Sequence, residues 1–146
     1  MSPEAHERLV ELDAVSREAR AFYGLAAARL PASSLRECCL RLETAKAELV
    51  ALLAIRLRGG PRVAGGHAAA PLREQLAPAF LRARRELTRA PADWHEGMAR
   101  IEATVVDACQ RAASGSADAD CRRVMAWALP MLQRCEDELR PGGRTT

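Results

Sequence analysis

Apolar residues recur at steps of three and four along most of the chain, which is the spacing of amphipathic helices. Such stripes predict two long helices over about residues 4–29 and 33–58, and two more over about 92–113 and 118–140. A shorter amphipathic segment, over about 72–89, lies between the two pairs. Prolines and glycines stand near the ends of the stripes, where they stop helices. The pattern therefore predicts an all-α protein that forms a single domain over residues 1–146.

The lengths of the connections indicate how the helices are arranged. Within each pair only a few residues join the helices, and Ser33 or Ser34 offers a hydroxyl N-cap for the second helix. Short connections make antiparallel neighbours. The link between the pairs, roughly thirty residues, is long enough to travel back along a helix of about 40 Å. Two antiparallel hairpins joined by one long crossover, here with an extra short helix, are the connectivity of a ferritin-like four-helix bundle.

Composition limits which classes of protein the chain can belong to, but it indicates little about its activity. Hydrophobic residues make up 49% of the chain and aromatic residues 3%, and Lys46 is the only lysine among 22 cationic side chains. The net charge is +3 with cations and anions interspersed, so we expect no nucleic-acid partner. The first residues are polar and no apolar run reaches membrane-spanning length, so we expect no membrane association. Together with an odd number of cysteines, these features indicate reduced thiols and a cytoplasmic location.

Three short stretches carry a family resemblance. They are Ser16-Arg17-Glu18-Ala19-Arg20-Ala21-Phe22-Tyr23 in the first helix, Gly59-Gly60 with Gly65-Gly66 and Leu72-Arg73 after the second, and Arg100-Ile101-Glu102-Ala103 in the third long helix. In their residues and in their spacing along the chain, these stretches resemble stretches of the bacterial ferritin-like four-helix-bundle proteins of unknown function. The resemblance implies a ferritin-like fold, in which di-iron centres are built at the middle of the bundle.

The residues that a di-iron centre needs are largely missing from the predicted helices. Such a centre takes a Glu from each of two helices and a Glu-x-x-His from each of the other two. No Glu-x-x-His occurs on any predicted bundle helix, and His6, His67 and His95 stand at the margins of the predicted elements. Ala45 and Ala99 occupy positions where the resemblance implies acids. We therefore expect a degenerate member of the family whose di-metal site is largely lost.

Three acids remain at positions from which a carboxylate can reach the bundle interior. Glu102 lies between Met98 and Val105 on an apolar stripe, whereas Glu18 and Glu48 lie beside such stripes. One hypothesis makes Glu18, Glu48 and Glu102 the ligands of a metal, with iron as the possible cofactor. The other places them at the edge of the core, paired with arginines. If Glu102 is buried without a metal, we expect Glu102→Ala to be neutral or stabilising.

The cysteines allow a second alternative. All five lie on predicted helices, and thiolates inside a bundle can hold a soft metal such as Cu(I) or Zn²⁺, or take part in redox chemistry. No Cys-x-x-Cys spacing is present, and a buried cysteine is also a normal small core residue. The five are Cys38, Cys39, Cys109, Cys121 and Cys135.

The sequence indicates no catalytic residue and no cofactor-binding loop. The function we predict is that of a non-enzymatic bundle protein, which acts as a homo-oligomer or on a protein partner through its surface. Five arginines cluster on the short segment, where they form either an anion or partner surface or a solvated helix face. These are Arg73, Arg82, Arg84, Arg85 and Arg89.

Overall fold

A computed structural model describes residues 1–58, 71–90 and 93–140 of the chain. Within those residues every regular element is a helix and no strand occurs, which confirms the predicted all-α class. The predicted glycine-rich link with His67 and the predicted Pro141-Gly142-Gly143 stop lie outside the described residues. The five helices are α1 (Pro3–Arg29), α2 (Ser34–Leu57), α3 (Pro71–Arg89), α4 (His95–Gly115) and α5 (Ala119–Leu139).

Side chains cap most of these helices at their first turn. The hydroxyls of Ser2 and Ser33 accept hydrogen bonds from backbone N–H groups at the starts of α1 and α2, and Asp118 does the same for α5. A cap for α3 comes from another helix, because a Glu11 carboxylate oxygen on α1 accepts from the N–H groups of Leu72 and Arg73. The charge of Glu11 also complements the positive end of the α3 dipole.

The helices pack as a closed ring. Each of α1·α2, α2·α5, α5·α4, α4·α3 and α3·α1 is a contacting pair, and α1 also reaches α5 across the ring. Helix α3 therefore fills the gap between α1 and α4, whose described backbones do not approach each other directly. The backbones of α2 and α4 also stay apart. Side chains that link α4 to α1 or α2 must therefore cross the interior of the ring.

The buried faces follow the predicted stripes on α1 and α5. The predicted inward residues of α5, from Cys121 to Leu139, are all buried, and Pro130 lies within the helix without ending it. Pro130 and Ala126 are both exposed, so the Ala126 carbonyl that Pro130 leaves without an N–H partner lies on the solvent side.

Helix α2 buries a face that is rotated from the predicted one. The apolar stripe that predicts its inward face, at steps of three and four, consists of Leu35, Cys38, Leu42, Ala45, Leu49 and Leu52. Leu35, Ala45 and Leu52, expected to point inward, are only half-buried. The rotation brings Lys46 into the interior in place of Ala45. The buried face consists of Cys38, Cys39, Leu42, Lys46, Leu49, Val50 and Leu53. On α3, Leu81 is one of the apolar residues of the amphipathic segment, yet it is 45% exposed.

In the part of the chain that the structure describes, no helix combines the length with the apolar character that a bilayer span requires.

Candidate functional site

The interior of the ring contains a charged network made of Tyr23, Lys46 and Glu102. The side chains of Lys46 and Glu102 are 2% and 1% exposed, and Tyr23 is 0% exposed. Lysine and glutamate are almost never fully buried unless they are paired. We call these three residues the core network, and it is the most unusual feature of the interior.

The geometry of the core network satisfies the carboxylate at both oxygens. The Lys46 ammonium donates to Glu102 Oε1 over 2.7 Å, and the Tyr23 hydroxyl donates to Glu102 Oε2 over 2.7 Å. Distances this short are typical of hydrogen bonds to an ionised acceptor. Glu102 thus acts as the shared acceptor of one cation and one neutral donor.

Each member of the core network comes from a different helix. Tyr23 lies on α1, Lys46 on α2 and Glu102 on α4, and the backbone of α4 directly approaches neither α1 nor α2. The long lysine and tyrosine side chains span these gaps. The network therefore joins α4 to α1 and to α2, which backbone packing alone does not bring into contact with α4.

Burial and charge act in opposite directions on Lys46. Burial is the largest single effect and lowers the pKa of its ammonium. The charge of Glu102, its hydrogen bond, and the nearby Cys135 and Cys109 together raise that pKa, so it stands above its ordinary value. Lys46 is therefore a cation at neutral pH and not a nucleophilic amine. For Tyr23, burial and the Glu102 charge both raise the pKa of the phenol well above its usual range, so the hydroxyl keeps its proton.

Aromatic rings pack against one end of the core network. The Trp94 ring lies with its centroid 5.3 Å from that of Phe22 and 6.5 Å from that of Tyr23, in edge-on arrangements. All three residues are almost completely buried. Such rings exclude water and lower the local dielectric, which strengthens the Lys46–Glu102 attraction.

The structure places the three predicted metal ligands apart. Glu102 is in the core network, whereas the Glu18 side chain is 36% exposed and pairs with Arg84 of α3 over 3.0 Å. Glu48 is exposed on α2, where it lines a groove of about 360 Å³ between α2 and α5. No group of three or more His, Cys, Asp or Glu side chains arranged to hold a metal ion occurs among the described residues. Metal binding by the three acids together therefore stays a prediction, and their placement does not support it.

The partners of Glu102 overturn the reason for expecting Glu102→Ala to be neutral. That expectation treated Glu102 as a lone buried carboxylate, but its removal would leave the Lys46 ammonium buried without a counter-ion. Breaking a buried pair on one side is strongly destabilising. The sign of the expected effect is therefore reversed.

All five cysteines are buried, and no disulfide joins them. Burial raises the pKa of the Cys39 and Cys109 thiols to about 12 and that of Cys135 to about 11. Burial also raises the pKa of Cys121. Because the thiolate is the metal ligand and the nucleophile, these shifts disfavour thiol chemistry and favour a packing role.

Sequence reasoning missed Lys46 and Tyr23 as members of the site. A signal was present, because Lys46 is the only lysine of the chain and lies four residues after Leu42 and four before Val50. A third missed residue is Glu11, buried at 5% exposure, which caps α3. Of the histidines, His6 and His95 are half-buried near helix starts, whereas His67 lies outside the described residues.

Comparison with known proteins adds no relative from which a role can be transferred. Neither the family models, nor the curated proteins, nor the solved structures searched include a match to this chain. Function must therefore be argued from the geometry.

Proposed function

We propose that this protein is a non-enzymatic, ferritin-like bundle protein in which an internal ammonium occupies the place of a metal cation, and that it acts through its surface. One observation carries the proposal: both oxygens of Glu102 already accept hydrogen bonds, from Lys46 and from Tyr23. The order of the helices, two hairpins with α3 between them, is consistent with the ferritin-like part of the proposal.

The Lys46 ammonium satisfies Glu102 in the way that a bound cation would. A divalent ion at Glu102 would have to displace that ammonium or lie beside it, and like charges at close range repel strongly in a low dielectric. The Lys46 side chain is only 2% exposed, so it cannot swing into solvent without opening the ring. The core network is thus complete without an added ion.

The same burial argues against an enzyme centred on the core network. Catalysis needs the substrate within hydrogen-bond distance of the reacting group, and Tyr23, Lys46 and Glu102 are all closed off from solvent. The pKa of Lys46 is raised and so is that of Tyr23, the opposite of what a general base or a nucleophilic amine needs. The favoured role of the core network is to fix the helix arrangement.

The test is elemental analysis of protein purified after growth with added iron, zinc and copper, combined with absorption spectra in air. We expect no metal in stoichiometric amount, because the ammonium of Lys46 neutralises Glu102. Roughly two irons per chain, the content of a di-iron centre, would contradict the proposal. Stoichiometric copper or zinc that disappears on Cys109→Ser and Cys135→Ser would contradict it in favour of the thiol alternative.

A further inference from the structure

The positive charge of this protein is concentrated on α3. The helix contains five arginines and two glutamates, a formal charge of +3. The whole chain has 22 cationic and 19 anionic side chains, so the remainder of the chain holds 17 of each and is neutral. A charge excess confined to one helix gives that helix a field that the rest of the surface lacks.

Three of the arginines share the outward side of α3. Leu76, Phe80, Ala83 and Leu87 are the buried residues of the helix, so they define its inner side. Arg82, Arg85 and Arg89 follow one another at steps of three and four on the opposite side, and all three are exposed. We call these three residues the arginine face.

The charges of the arginine face are largely uncompensated. Arg85 and Arg89 form no hydrogen bond or ion pair with any residue in the described parts of the chain. Arg82 pairs with Glu86 over 3.1 Å, but its side chain is 78% exposed and such i,i+4 pairs are weak. By contrast, Arg84 already bonds to Glu18 of α1, so it belongs to the packing of the helix.

Helix α3 presents this face in a fixed orientation. Glu11 caps its N-terminus, Arg84 ties it to Glu18, and the Arg29 guanidinium donates to Thr88 near its C-terminus. A preorganised surface loses little conformational entropy when it binds.

The surroundings of the arginine face favour a protein partner over a nucleic acid. Acidic side chains lie beside it, since Glu86, Asp93 and Glu96 line a groove of about 260 Å³ between α3 and α4. A continuous phosphate backbone would extend over these carboxylates and be repelled, whereas a single helix, about 10–12 Å across, can lie on the arginine face beside the groove. Leu81, 45% exposed, lies one residue before Arg82 and offers apolar contact area, and arginine with apolar side chains is typical of protein interfaces.

We propose that the arginine face binds an acidic helical segment of a partner protein, whose carboxylates at steps of three and four meet Arg82, Arg85 and Arg89 while an apolar side chain contacts Leu81. Guanidinium groups pair with carboxylates in a bidentate manner, which gives such a contact orientation as well as charge. This inference rests on the proposed function, because it names the surface through which the bundle would act.

The test measures binding of a fluorescent helical peptide with glutamates at steps of three and four and one central leucine. The full chain is compared with the triple variant Arg82→Glu, Arg85→Glu, Arg89→Glu. The matched control is Arg20→Glu, Arg58→Glu, Arg134→Glu, which has the same net charge and replaces exposed arginines on α1, at the C-cap of α2 and on α5. A milder variant, Arg85→Ala with Arg89→Ala, removes only the two uncompensated charges. A 20-base-pair DNA duplex and a peptide with lysine in place of glutamate serve as further probes.

We expect the face variant to weaken peptide binding by about tenfold or more, and the control variant by clearly less, at low ionic strength. Equal loss in the two charge-matched variants would overturn the inference, as would no binding by the unmodified protein. Tighter binding to the DNA than to the acidic peptide would also overturn it. If the triple variant does not fold, the Ala variant decides in its place, compared with Arg20→Ala, Arg134→Ala, which has the same net charge. The metal content of the same preparations tests the proposed function separately, so the two failures are distinguishable.

Discussion

Lys46 shows how one buried residue decides what its neighbours can do. Its ammonium lies 2.7 Å from Glu102 Oε1 with both side chains closed to solvent, so neither charge is tolerable without the other. Tyr23 completes the arrangement by donating to the second carboxylate oxygen. From the sequence, Glu102 was identifiable because it interrupts an apolar stripe. Lys46 was harder to identify, because it lies one residue after Ala45 and so beside the apolar stripe that predicts the inward face of α2.

Removing the Tyr23 hydroxyl tests the third member of the core network. Tyr23→Phe keeps the ring packed against Phe22 and Trp94 but takes one hydrogen bond from an ionised acceptor. We expect the free energy of unfolding to fall by about 1.5–3 kcal/mol, the range for hydrogen bonds to charged groups. Urea denaturation measures it, and a loss below about 0.5 kcal/mol would show that the hydroxyl does not support Glu102.

At the scale of the helices, the spacing of apolar residues predicted where the helices begin and end better than it predicted which face each helix buries. The helix bounds lie within three residues of those expected, and the residues of α1 and α5 that were expected to point inward are all buried. On α2 the apolar residues are spread widely enough to allow two inward faces, and only contacts with α5 and α1 decide between them. The place of α3 between α1 and α4 depends on Glu11, whose role has no local sequence signature.

The cap on α3 can be tested through local stability. Glu11→Ala removes the acceptor for the N–H groups of Leu72 and Arg73, and we expect it to cost about 0.5–2 kcal/mol, as for other helix caps. Amide hydrogen exchange should rise most at the start of α3. Glu7→Ala, one turn earlier on α1, is the control and should leave exchange in α3 unchanged. Equal exchange in α3 for both variants would refute the capping role.

At the scale of the whole molecule, the interior holds several groups that keep their protons more tightly when folded. The pKa values of Tyr23 and Lys46 are raised, and those of Cys39, Cys109 and Cys135 stand at about 12, 12 and 11. In the unfolded chain these groups titrate near their ordinary values, about 8.5 for Cys, 10 for Tyr and 10.4 for Lys. Each therefore makes a contribution to stability that is complete below those values and is lost as the pH rises through the folded pKa.

Alkaline solution should therefore unfold this protein progressively. We expect the urea midpoint to be level up to about pH 8 and to fall between about pH 9 and 12, because the unfolded chain releases protons that the folded chain retains. Replacing Cys109 and Cys135 by Ala should reduce the fall over its whole range, from about pH 9 to about 11–12, and leave the share that Tyr23 and Lys46 contribute above pH 10. A midpoint that does not change up to pH 11 would contradict the burial of these groups in the folded state.

The central claim is that Lys46 and Glu102 form one coupled pair that completes the interior without a metal. A double-mutant cycle with Lys46→Met and Glu102→Met, followed by urea denaturation of metal-free protein, measures that coupling directly. We predict that each single variant loses about 3–5 kcal/mol, and that the double variant is more stable than the sum of the two losses by at least about 2 kcal/mol. Additive losses would show that the two charges do not depend on each other, and would contradict the account.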